Sequence, residues 1–398
     1  MGYDGIHYGI SGSGAGELTT PRVLHLVHTP GPGGTEQVAL NLLEWIPRTA
    51  AVQALAAPEG HLEQEAANRG IEFYHIPYTA VRRSLSPIDL GSAIALVPSL
   101  MRRTKKVIAR FSPDIIHAHS AKSVIMTSFS VGKVRSWKLV WHLHDYVPLG
   151  MLRSALIRLA LAAADEVIAV SHAVAQDVCG RHQVRIIPNA IVFQDIPESK
   201  PSGCLRDRAG IPSNAEVLGY AGRLDREKGI AVLLECVQSA LSILPDIHLL
   251  VAGDSPFKPG EMRKHWEERA FRLGIHEHVH FLGHLAALDD YFRSIDIFVL
   301  PAYREPFGLV LLEALARGIP VVACDAGGPS EILARLRGSS LVPVGDPHAL
   351  AQECVRLLRD PNLRLLARQE GPELVAKSYS PSVQVQAVTS LYEEVLRS

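Results

Sequence analysis

Residues 296–323 read DIFVLPAYREPFGLVLLEALARGIPVVA. The uninterrupted apolar run Ile297 to Leu300 has the length and β-branched character of a buried strand. A loop carrying Glu305 follows, then a largely apolar helical stretch, Leu309 to Leu315, and then a second short strand, Val321 to Ala323. Strand, helix and strand in that order make a βαβ unit, whose two strands lie parallel in one sheet covered by helices.

The same rhythm extends in both directions. Downstream of Ala215 the strand candidates are Val217 to Ala221, His248 to Ala252, Val279 to Leu282 and Leu341 to Val342. Upstream they are Val23 to His28, Val52 to Ala56, Phe73 to Ile76, Ile115 to His119, Leu139 to His144, Val167 to Val170 and Arg185 to Ile187. Helix candidates between them are Thr35 to Trp45, Leu62 to Arg69, Leu90 to Phe111, Ala121 to Val131, Met151 to Ala163 and His172 to Cys179. From Asp195 to Ala215 the rhythm stops in a stretch rich in Pro, Ser and charge, as in a linker. The expected organisation is a flexible leader over 1–20, an α/β domain over 21–195, a linker over 196–215 and a second α/β domain over 216–380. Val383, Val385, Val388, Leu391, Tyr392 and Val395 predict a final helix over 381–398, a candidate for crossing back to the first domain.

Composition agrees with two domains: 398 residues, of which 47% are hydrophobic, supply more than one core. Forty Lys and Arg against 41 Asp and Glu leave a net charge of −1, which removes a global electrostatic case for nucleic acid as partner. Cys179, Cys204, Cys236, Cys324 and Cys354 are odd in number and form no CxxC pair, so neither a disulfide framework nor a zinc site is indicated and a reducing cytosol fits. The longest apolar stretch, Leu152 to Ala164, is broken by Arg153 and Arg158, so no spanning helix is expected; a secretory signal is not evident either.

Three loops carry chemistry. Gly31-Pro32-Gly33-Gly34-Thr35-Glu36 opens a helix after the first strand, where bare backbone and free N–H groups suit a phosphate or a sugar hydroxyl. An ordinary strand-to-helix turn is the plain alternative. Gly222 to Gly229 follows the first strand of the second domain, and Arg223 and Lys228 bracket a helix start. Cations are unfavourable at that end of a helix, so an anion is expected to offset them, and a departing diphosphate needs such charge. Glu305 precedes the helix of the opening stretch and Glu313 lies two turns inside its apolar run. A carboxylate there requires partners: a ribose diol would serve, and an ion pair with Arg317 is the alternative.

The motifs GPGGTE, HAHS, HLHD, VIAVSHAV, IIPNA, GRLDREKG, VAGDSP, VHFLGH, DAGGPSEIL and the opening stretch run in one order from about Arg22 to Leu333. The chain thereby resembles the retaining glycosyltransferases of family 4. That resemblance implies the GT-B fold, two Rossmann-like doubly wound parallel-sheet domains facing across a cleft, and a nucleotide-sugar donor, with UDP as the expected nucleotide. It assigns Glu305 to the donor sugar, Glu313 to the ribose, and Arg223 and Lys228 to the pyrophosphate, with the backbone of Phe307, Gly308 and Leu309 completing that site. Gly33 and Gly34 meet the donor from the opposite domain, His144 contacts the transferred sugar, and Leu282 and Gly283, with His284, border the base. His144, Arg223, Lys228 and Glu305 form the implied catalytic set. A phosphorylase or synthase-like enzyme, or a non-catalytic sugar-nucleotide binding subunit, is the rival reading.

No Asp-x-Asp triplet occurs in the chain, which argues against the metal-dependent glycosyltransferase architecture, so neither metal nor cofactor is expected. His117 and His119 share one strand face, as do His142 and His144, and such a group invites a metal reading. Without HExxH or clustered carboxylates, His117 and His142 read as structural. The chain departs from the family pattern at Ala190, after Asn189, and at Ser255, where glycines are common; a need for positive φ would strain either. Residues 82–110 hold Arg82, Arg83, Arg102, Arg103, Lys105, Lys106 and Arg110 beside Ile94, Leu96, Val97, Leu100, Met101 and Ile108. This pattern reads as a basic amphipathic helix for peripheral contact with the inner membrane face or as a core helix with a solvated side. The acceptor class is correspondingly open: sugar, small molecule or lipid-linked hydroxyl.

Overall fold

A computed structural model describes residues 20–31, 33–78, 87–131, 135–147, 151–178, 183–192, 205–255 and 259–398. The leader, Arg82, Arg83, and the linker as far as Cys204 lie outside the described residues, as do Cys179 and the side chains of Ile94 and Leu96.

Thirteen parallel strands form two sheets. The first contains β1 (Arg22–Leu26), β2 (Val52–Ala57), β3 (Glu72–His75), β4 (Ile115–Ala118), β5 (Lys138–Leu143), β6 (Glu166–Ala169) and β7 (Arg185–Ile186), in the order β3-β2-β1-β4-β5-β6-β7. The second contains β8 (Glu216–Ala221), β9 (Ile247–Ala252), β10 (Val279–Gly283), β11 (Ile297–Leu300), β12 (Val321–Cys324) and β13 (Ser340–Val342), in the order β10-β9-β8-β11-β12-β13. The chain winds outward from the sheet centre in one direction and then returns to wind in the other. The order therefore reverses between β1 and β4 and again between β8 and β11, where the crevice beyond the strand ends is the usual binding place.

The strands read as apolar runs because helices cover both faces. Val23, Ile115, Val140 and Ile168 point to one side of the first sheet and meet Val38 and Leu42 from the helix Gly34–Trp45. Val388, Leu391, Tyr392 and Val395 of the last helix, Pro381–Arg397, close the same layer, so that helix packs on the first domain. Residues 205–215, read as linker, pack instead on the second sheet. Arg206 is buried, its Nη2 donating to Asp296 Oδ2 at 2.6 Å and its Nε to the Ser294 carbonyl at 2.8 Å.

The helix Pro87–Phe111 turns Leu100, Val107, Ile108 and Phe111 into the core and leaves Arg102, Arg103, Lys105, Lys106 and Arg110 exposed. Its apolar face, as far as it is described, is thus already covered. No described helix is long and apolar enough to cross a membrane.

Candidate active site

The loop after β8 and the loop after β11 meet at the carboxyl edge of the second sheet. Lys228 ends a single 3₁₀ turn, Arg226–Lys228, and its Nζ lies 2.8 Å from Glu305 Oε2. Both side chains are largely buried, so each ion depends on the other for its solvation. Arg223 pairs with Asp225 at 2.7 Å and with Glu227 at 2.9 Å. The anions expected to offset the two cations are therefore protein carboxylates in the resting molecule, and the helix proper, Ile230–Leu241, begins only after Gly229.

Glu305 is held from behind. Its N–H donates to Ala326 O at 2.9 Å and its carbonyl accepts from Gly328 N at 2.9 Å. Gly308 follows with φ 97°, a left-handed conformation that suits glycine, and turns the chain into the helix Leu309–Ala316. That helix has no side-chain cap, and the amides of Leu309 and Val310 have no protein acceptor among the described residues. Phe307 is buried with its ring against Tyr379, so only its backbone is available to a ligand. Glu313 is half-buried about one turn on, and its carboxylate makes no hydrogen bond among the described residues. Burial raises its pKa and the Arg317 charge opposes the rise. The alternative, a Glu313–Arg317 ion pair, does not form: Arg317 donates to the Glu313 carbonyl at 3.0 Å and pairs with Asp289 at 2.6 Å. Leu282 and Gly283 lie at the end of β10, where the Gly283 carbonyl accepts from Gly253 N at 2.7 Å.

Across the cleft, Gly33 and Gly34 open the helix Gly34–Trp45, and Gly34 lies against Leu309 of the opposite domain. Behind this loop Thr29 donates to the buried Glu36, whose carboxyl burial lifts to about 7. Asp145, just beyond β5, faces Lys228 and Arg223; burial raises its pKa while those two cations lower it. The hydroxyl of Tyr146 donates to the Glu305 carbonyl at 3.3 Å, Ser171 Oγ to Pro306 O at 2.7 Å, and the N–H groups of His172 and Ala173 to Glu331 at 3.0 and 2.8 Å.

His144 makes no bond to these ions. It belongs to a group of five imidazoles, His25 from β1, His117 and His119 from β4 and the residue after it, and His142 and His144 from β5 and the residue after it. Period-two alternation explains the group, since His25 follows Val23, His117 follows Ile115 and His142 follows Val140 on one face, and β1 pairs His25 with His117. Burial lowers all five pKa values, to about 4 at His25 and about 3 at His144, so the rings are neutral near pH 7. The ligand atoms of His119, His142 and His144 lie within 4.8 Å of one another, near enough to share a cation. His119 bonds to neighbouring rings through both nitrogens, so a metal on it would have to displace one of those bonds, whereas His142 Nε2 and His144 Nδ1 have no partner among the described residues.

His25 was not singled out by the sequence, nor were Glu36, Asp145, Ser171 or Glu331; these matter through contacts between distant segments. At the family departures, Ser112 is the one non-glycine residue with positive φ among the described residues, so Ala190 and Ser255 are unstrained. Gly253 takes the left-handed turn instead, and Ser255 Oγ donates to Asp225 at 2.9 Å.

Two doubly wound sheets with their reversal points at one cleft define the GT-B class. Sequence comparison completes the assignment: "Glycosyltransferase Family 4" matches residues 32–194 and "Glycosyl transferases group 1" matches residues 204–373. The two family models together span most of the chain, which belongs to the glycosyltransferases of family 4. It is 36% identical over 218 residues to the D-inositol 3-phosphate glycosyltransferase of Corynebacterium jeikeium, covering 53% of this chain and 52% of that one. The counterpart from Corynebacterium urealyticum aligns over 46% of its length, so the chain spans about half the length of these two relatives. It is 26% identical over 377 residues to the phosphatidyl-myo-inositol mannosyltransferase of Mycobacterium leprae, covering 92% and 94%. Anabaena HepE, solved with UDP and glucose, shares the fold with a TM-score of 0.78 at 21% identity, covering 94% of this chain and 99% of that one.

Proposed function

We propose that this protein transfers a sugar from a UDP-sugar to an acceptor hydroxyl with retained anomeric configuration and without a metal ion. The observation that carries the reading is the meeting of Lys228, Arg223, Glu305 and the uncapped helix start at Leu309 on one cleft edge. In the resting state each cation holds a carboxylate. A diphosphate entering between them takes Lys228 and Arg223 as partners, and Glu305 is then free to accept hydroxyls of the donor sugar. Glu313, which lacks a hydrogen-bond partner among the described residues, accepts from the ribose diol.

As the bond from the anomeric carbon to the diphosphate oxygen breaks, charge collects on the leaving group beside Lys228, Arg223 and the helix N–H groups. The acceptor oxygen bonds to the same face, and its proton passes to a diphosphate oxygen. The protein supplies orientation and fixed charge. His144 lines the sugar side from the first domain.

Two relatives, a D-inositol 3-phosphate glycosyltransferase and a phosphatidyl-myo-inositol mannosyltransferase, support a sugar, small-molecule or lipid-linked acceptor. The exposed cluster Arg102, Arg103, Lys105 and Lys106 favours electrostatic contact with an anionic membrane surface. Charge reversal at these four positions should abolish co-sedimentation with anionic liposomes; unchanged co-sedimentation removes that contact. For the reaction, thermal shift with UDP, GDP and ADP should select one nucleotide, and nucleotide release across donor sugars should then show turnover. A thermal shift with no release for any acceptor identifies a binding subunit instead.

A further inference from the structure

The buried imidazoles of the first sheet form a directed chain whose start is far from the cleft. Gln53, on β2, places Nε2 at 3.4 Å from the Leu43 carbonyl and 3.2 Å from the Ile46 carbonyl. Carbonyls only accept, so the amide nitrogen faces them and the amide oxygen faces His25, whose Nε2 lies 3.0 Å away. An amide oxygen also only accepts, so His25 carries its proton on Nε2. In a neutral ring Nδ1 is then bare. His25 Nδ1 lies 3.0 Å from His119 Nε2, which must donate, leaving His119 Nδ1 bare. His119 Nδ1 lies 2.9 Å from His144 Nε2, which must donate in turn. The last atom, His144 Nδ1, is buried and has no partner among the described residues.

We propose that Gln53 is a positioning residue that fixes the tautomer of His144 through His25 and His119, so that Nδ1 of His144 serves only as a hydrogen-bond acceptor. The inference rests on the reading of this cleft as a sugar-transfer site. Its consequence there is specificity: His144 takes a sugar group that donates, a free hydroxyl, and rejects a keto, ether or phosphate oxygen at the same place. The low pKa values of the rings keep the proton order intact between pH 5 and 8. The neighbouring branch lacks this direction. Tyr392 bonds His117 Nδ1 at 2.6 Å, and a hydroxyl can donate or accept, so the His117–His142 pair is set by nothing outside itself.

The test uses the full-length protein labelled with ¹⁵N-histidine and long-range ¹H–¹⁵N correlation of the ring nitrogens. In the wild type His144 should be protonated on Nε2 and bare on Nδ1. Gln53→Leu removes the amide and His25→Phe removes the second link; each should turn His144 into a mixture of tautomers. Each should also lower kcat about tenfold, the double variant no further than either alone, with UDP affinity unchanged. His144 protonated on Nδ1 in the wild type overturns the proposal even if neither variant folds, and so does an unaltered tautomer and kcat in Gln53→Leu. If the wild-type tautomer is as stated but no donor is turned over, the function assignment fails while the relay stands.

Discussion

The two sheets have the same winding and opposite chemistry. Where the first reverses, between β1 and β4, the side chains behind the cleft are neutral imidazoles bonded edge to edge. Where the second reverses, between β8 and β11, they are ions: Lys228 with Glu305 and Arg223 with Asp225. Topology alone explains why both lie at the cleft. The side chains determine what each does there, with one half supplying charge that can be exchanged with a ligand and the other supplying direction without charge.

The largest expected effect breaks the charged half. Lys228→Ala should reduce nucleotide release by roughly 10²–10³-fold, the loss typical of one donor to a developing oxyanion. A near-normal rate would move the charge role elsewhere. Next is the neutral half, through its response to acid. The five histidines are held below their ordinary value of 6.5 when folded, so the unfolded chain binds more protons. Their contribution is complete above pH 6.5 and is lost as pH falls toward about 4 at His25 and about 3 at His144. For His25 alone the loss at pH 5 is roughly 2 kcal/mol, and the melting temperature should drop by several degrees between pH 7 and pH 5. A flat melting profile over that range would mean the rings already carry charge.

Glu313→Ala should raise the KM for the nucleotide sugar about 10- to 100-fold with kcat less affected, as for a binding contact shared by substrate and transition state. An unchanged KM would place the ribose elsewhere. Ser255→Gly, which restores the common residue, frees Asp225 from one hydrogen bond and should change activity only two- to threefold, about 0.5 kcal/mol. A larger loss would show that Asp225 sets the position of Arg223.

Most of the fold was legible because strands buried on both faces appear as apolar runs; Ile297–Leu300 was read without error and the other strands to within two residues. The helix beginning at His172 was read too long, ending at Gln176 instead of Cys179. The site was legible as loops, since each functional loop follows a strand. Its bonding was not. Lys228 meets Glu305 across 77 positions and His25 meets His119 across 94, separations that depend on sheet order and register. His25 was hidden for a further reason: one polar residue in the run VLHLV looks like a blemish in a strand until the facing strand supplies its partner. Arg223 and Lys228 read as cations that call for a ligand, whereas local and distant carboxylates hold them in the structure.

The last helix gives the molecule an order of assembly. Val388, Leu391, Tyr392 and Val395 complete the layer begun by Val23 and Ile115, and Tyr392 bonds His117 from below. On the ribosome the seven strands of the first sheet emerge well before that cover does. About 200 residues separate Ile186 from Val388, roughly 10–40 s of synthesis at about 5–20 residues per second. For that interval the helix Gly34–Trp45 alone contributes cover to this apolar face, and the second domain has time to fold before the first is sealed. The half made first is thus closed only after the second has been made.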